Sequence, residues 1–157
     1  MIEKKLDIKD TDIYERIKNE SGFTSQIKAI AGQSTKLASM AIATDDEKIF
    51  FDAFIQPAVN ECVLAINHYL SPCNVTAEND TQNTSYRIRH FNLMVPENYP
   101  EENVSMLGDI LVDYITNRCL QQWYMLTKSD DVGTSALKVQ TAMTLLRDML
   151  SMRKKPV

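Results

Sequence analysis

The side chains best suited to chemistry in this 157-residue sequence are three cysteines, Cys62, Cys73 and Cys119, and two histidines, His68 and His90. A metal site needs such ligands clustered. Cys62 and His68 lie six apart. On a helix that spacing turns them about 240° from one another, so they cannot share a metal from one face. Nucleophilic catalysis needs a thiol beside an imidazole, with a third group to orient it. No local pattern supplies that, and Cys119 falls on the apolar stripe of a helix, where a thiol is inert packing. Carboxylates pair at Asp109 and Asp113 and cluster at Asp45-Asp46-Glu47 and at Glu97, Glu101 and Glu102. General acid–base work needs a carboxylate in a dry pocket, whereas these fall at helix starts or on polar faces. Neither glycine pattern that cradles phosphate is present. The expectation is a chain without catalytic residues, metal ligands or a cofactor, and not an enzyme.

The basic residues are the remaining candidates. Arg153-Lys154-Lys155 form a tail at residues 153–157, with Arg147 one to two turns earlier. They either compensate a helix dipole or contact an acidic partner or nucleic acid, and repetition around an oligomer would multiply so small a charge. Arg87 and Arg89 sit in an alternating stretch, as a solvated strand face, as a guard on a sheet edge, or as partner contacts. Trp123-Tyr124 reads as core with a hydrogen-bonded phenol.

These residues must be positioned by an ordinary globular composition, 44% hydrophobic and 24% charged with net charge −4. The length is that of one domain spanning 1–157 and is enough to bury a core without disulfides. No domain-wide basic field argues for nucleic acid. The opening residues lack the apolar core of a secretory leader, which predicts reduced thiols in a cytosolic product. The most apolar window, 49–70, is broken by Asp52, Gln56, Pro57, Asn60 and Glu61, which predicts no membrane span.

Periodicity predicts the elements. Ile13, Tyr14 and Ile17 mark a first helix over 10–19, capped by Thr11 or Asp12 and ended by Glu20-Ser21-Gly22. A second stretch runs over 25–43. Thr44-Asp45-Asp46-Glu47 is a capping box, followed by a long helix to about residue 70 with apolar residues on more than one face, kinked near Pro57. That pattern predicts the central helix of a bundle. The period then changes to two, which predicts a strand over 86–94 and a β-hairpin over about 73–95. Helical stripes return over 104–126 and 135–152, joined by a short loop that makes them antiparallel neighbours, with Thr134 or Ser135 as cap. The predicted fold is mainly α, a four- to five-helix bundle with an inserted β-hairpin.

Five segments in order carry a resemblance: Asp12-Ile13-Tyr14-Glu15-Arg16, Thr44-Asp45-Asp46-Glu47, Leu93-Met94-Val95-Pro96-Glu97-Asn98, Trp123, and Leu146 followed by Arg153-Lys154-Lys155-Pro156-Val157. Their spacing resembles a family of small helical proteins encoded in the virion-assembly clusters of phages and prophages of gut Bacteroidales. The resemblance implies a head–tail connector, or neck-ring, subunit. Its partners would be further copies in a homo-oligomeric ring, the portal protein and tail or neck proteins, close to packaged DNA and away from membrane. It would reside in the virion neck, and in host cytoplasm during assembly. Arg87, Arg89, Arg147, Arg153, Lys154 and Lys155 are then the candidate partner contacts. The alternative is a soluble bacterial interaction or regulatory module without enzymatic activity.

Overall fold

Alternation at the start of the chain makes a strand. In β1 (Ile2–Lys9), Lys4, Leu6 and Ile8 turn toward the helices while Glu3, Lys5, Asp7 and Lys9 turn outward. The computed structural model describes residues 1–30, 48–70, 72–81 and 86–152, with the backbone only of 24–30 and 48–50. After β1 come α1 (Asp10–Ile30), α2 (Lys48–Tyr69), β2 (Asn74–Asn79), β3 (Arg87–Val95), α3 (Glu102–Leu126) and α4 (Val132–Ser151). The fold is mainly helical with a three-stranded antiparallel sheet in the order β1-β3-β2.

The expected hairpin is present as β2 and β3, closed by the Asp80 N–H donating to the Tyr86 carbonyl at 2.9 Å. It is two-thirds of the sheet. β1 pairs along the other side of β3, from Ile2 opposite Val95 to Lys9 opposite Ile88. β3 is therefore the central strand, and Arg87 and Arg89 guard no edge. The buried side of β3 carries Arg89, Phe91, Leu93 and Val95, and the half-buried outer side Ile88, His90, Asn92 and Met94.

Two helix expectations change. α1 runs through Gly22 to Ile30 as one helix. Gly22 keeps a helical backbone instead of the left-handed turn that would end it. α1 also starts at Asp10, ahead of the expected caps Thr11 and Asp12. The expected capping box at 44–47 lies outside the described residues. In α2, Phe51, Ile55, Ala58, Val59, Cys62 and Ile66 form one buried stripe, while Leu64 is 72% exposed. Among the described residues α2 thus packs on one side. The helix packed on several sides is α3, which meets α1, α2, α4 and β1. It buries Leu107, Leu111, Tyr114, Ile115, Cys119, Leu120, Trp123 and Tyr124. Phe51 anchors α2 between Tyr14 of α1 and Trp123 of α3, with ring centroids 5.7 and 5.2 Å away.

α3 and α4 are antiparallel. Near the start of α3, the Tyr99 hydroxyl donates to the Met149 carbonyl at 3.0 Å, and the Asn103 amide reaches Met152 Sδ at 3.4 Å. At the far end Lys128 takes a left-handed backbone, φ 54°. The Ser129 N–H then returns to the Tyr124 carbonyl (2.9 Å) and the Lys128 N–H to Met125 (3.4 Å), satisfying the carbonyls that a helix end leaves open. α4 starts at Val132, before the expected cap at Thr134 or Ser135. The residue in the cap position is Asp131, whose side chain accepts from the Ser129 hydroxyl at 2.9 Å instead of capping the helix.

Candidate functional site

The strongest polar constellation sits on the buried side of the sheet. Asp10 opens α1 directly after β1, Arg89 lies on β3, and Gln56 lies about two turns into α2. Arg89 Nε donates to Asp10 Oδ1 at 2.9 Å and Nη2 to Oδ2 at 3.2 Å, a two-pronged pair. Arg89 Nη1 donates to Gln56 Oε1 at 2.5 Å. Arg89 is 4% exposed and Asp10 5%. The cluster ties the sheet to both α1 and α2. It forms the floor of a polar cavity of about 370 Å³, whose walls include Asp52, Asn79, Tyr86 and Arg87. With its guanidinium engaged three ways, Arg89 is a clamp between elements. As a partner contact this arginine is corrected: its charge is spent inside the fold.

A second cluster joins α2 to α3. Tyr114 donates to Glu61 Oε2 at 2.7 Å, and Arg118 Nε donates to the same oxygen at 3.3 Å. Burial pushes the Tyr114 phenol above its ordinary value, with its hydrogen bond to Glu61 adding to the shift. The phenol stays protonated and donates. Arg16 of α1 and Asp113 of α3 form a further ion pair.

The third constellation lies on the outer side of the sheet. His90 on β3 has Asp7 of β1 at 2.6 Å from Nδ1 and Glu78 of β2 at 2.9 Å from Nε2. Hydrogen bonds from the ring to Asp7 and then Glu78 raise its pKa, against a smaller opposing effect of burial. Both ring nitrogens can donate only in the imidazolium form. The two carboxylates bind opposite ends of the ring, so they do not converge on a point where a cation could sit. Among the described residues no group of three or more His, Cys, Asp or Glu side chains is arranged to hold a metal ion.

All three cysteines are free and buried. Burial pushes the Cys62 thiol far up, Cys119 to about 12 and Cys73 to about 11. None forms a thiolate near neutral pH, the form that attacks carbon or binds metal. His68 is exposed on α2, against the Tyr69 ring.

The other predicted contacts scatter. Arg87 is exposed at the mouth of the polar cavity, and Arg147 is exposed on α4. Arg153, Lys154 and Lys155 lie outside the described residues. Sequence reasoning missed the open groove between β1 and α3, about 640 Å³, with Lys4, Leu6, Ile8, Val104, Gly108 and Val112 among its walls. The signal for it was the even-numbered run Ile2, Leu6 and Ile8, interrupted by Lys4, which reaches Glu101 at 2.6 Å. No described helix is long and apolar enough to cross a membrane. Comparison of the chain with protein-family models, curated proteins and solved structures yields no match.

Proposed function

We propose that this chain is an assembly subunit without catalytic activity, and specifically a head–tail connector subunit in the neck ring of a tailed phage. The observation that carries the first part is how the polar side chains are used. Arg89, Asp10, Gln56, Glu61, Tyr114 and Arg118 hold one element against another. Such bonds favour a rigid block over a reaction centre. Among the described residues neither edge strand of the sheet pairs with a further strand, and the outward residues Glu3, Lys5, Asp7 and Lys9 of β1 are exposed. Those are surfaces through which a neighbour can add. The connector reading rests on the sequence resemblance, and its partners would be further copies, the portal protein and the next neck or tail component. Measuring the mass of the chain alone and mixed with a portal protein tests it. The reading expects a ring or a portal-bound complex, and a chain that stays a single-copy monomer in both samples sinks it.

A second reading, a bacterial interaction module working as a monomer or dimer, is favoured by the open groove of about 640 Å³ between β1 and α3, which a partner could enter. Gene neighbours separate the two: portal and capsid genes on either side support the connector.

A further inference from the structure

The free edge of β1 is complementary to itself. Its outward side carries alternating charges, Glu3, Lys5, Asp7 and Lys9. When a second copy of the strand runs antiparallel with Leu6 opposite Leu6, every charge on that outward side meets its opposite. Glu3 faces Lys9 of the second copy, Lys5 faces Asp7 of the second copy, and symmetry repeats both pairs. On the inward side Leu6 meets Leu6 and Lys4 meets Ile8.

Other registers lose this match. A slip of two residues one way sets Lys5 against Lys5 and Glu3 against Asp7. The same slip the other way sets Asp7 against Asp7 and Lys5 against Lys9. A slip of one residue opposes the charged side of one copy to the apolar side of the other. The second edge strand, β2, carries only Glu78 and has no such code. The geometry agrees. β3 covers one side of β1 along all eight residues, which leaves the alternate N–H and C=O groups pointing to the free side. Beside that side lies the groove over α3, where Leu6 rests against Gly108.

We infer that two copies of this chain pair through β1 in this register, about a two-fold axis at Leu6. The result is one continuous sheet in the order β2-β3-β1-β1-β3-β2, three strands from each copy. The inference does not rest on the connector reading, because it concerns the free chain and an interface between like surfaces.

Sedimentation of the full chain gives a two-copy mass. Leu6→Cys forms a covalent dimer under mild oxidation, since residues directly opposite across antiparallel strands lie within disulfide reach. Glu3→Cys does not, because the two copies of residue 3 are six positions apart in register. The native cysteines are buried and stay silent. Lys9→Glu turns both Glu3 contacts repulsive and weakens the dimer about tenfold. Glu3→Lys with Lys9→Glu in one chain restores it. A chain that remains monomeric at its highest concentration overturns the inference. So does cross-linking at Glu3→Cys equal to that at Leu6→Cys, or a charge-swapped chain as weak as Lys9→Glu. A dimer indifferent to portal protein leaves the pairing standing and removes the connector. A portal-bound ring assembled from chains that are monomeric alone does the reverse.

Discussion

Removing the Arg89 guanidinium strands the Asp10 carboxylate where solvent reaches 5% of the residue. Breaking a buried pair costs roughly 3–5 kcal/mol, whereas replacing both partners costs far less. Arg89→Met is therefore expected to lower the urea-unfolding free energy by about 3 kcal/mol, and Asp10→Asn in the same chain to recover part of that loss. Equal losses in the single and double variants would show that Asp10 was never the dependent partner. At His90 the sign runs the other way from a carboxylate. Its raised folded pKa means the contribution is whole below the ordinary histidine value and is lost as pH rises through the raised value. Stability should fall across that interval in the native chain, and His90→Gln should flatten that part of the profile. A drop that persists in His90→Gln assigns it elsewhere. The cysteines were legible from sequence, because Cys119 falls on a helical stripe and such positions bury. Arg89 was not. In Arg87-Ile88-Arg89-His90 it resembles its exposed neighbour, and what buries it is Asp10, 79 positions away, and Gln56, 33 away.

At the level of elements, local period decided what could be read. The closing helices came through because stripes such as Leu107, Leu111, Ile115 and Ala142, Leu146, Met149 repeat at helical spacing without interruption. β2 and β3 came through because their pairing is local. β1 escaped because its inward side includes Lys4, which breaks the apolar alternation, and because its partners on β3 lie 79 to 93 positions on. The end of α3 depends on a conformation the sequence does not advertise. Lys128 holds φ 54° where glycine is the usual residue. A side chain in that conformation costs about 1 kcal/mol. Lys128→Gly should stabilise the chain by roughly that amount, less what glycine adds to the freedom of the unfolded chain. Thermal unfolding measures it, and a lower midpoint in Lys128→Gly would mean that the lysine side chain supports the turn.

Across the whole chain, the expected central helix and the observed one differ, and the difference sets how the molecule should unfold. α2 has an apolar-rich sequence but one buried stripe among its described residues; α3 is joined to α1, α2, α4 and β1. A helix shared that widely leaves little that can melt alone, since losing any neighbour exposes part of α3. The buried residues also form a single cluster, running from Ile8 and Phe91 of the sheet through Phe51 and Trp123 to Leu146 and Leu150 of α4. Trp123 is the chain's only tryptophan and packs on Phe51, so its fluorescence reports the α2–α3 contact. Far-ultraviolet circular dichroism reports all the helices. If the expected single domain holds, the two signals share one urea midpoint. The sharper form uses Arg89→Met, a change at the sheet, which should move the Trp123 midpoint and the dichroism midpoint by the same amount. A Trp123 transition that stays in place while dichroism shifts would separate the sheet from the α2–α3 core and divide 1–157 into two folding units.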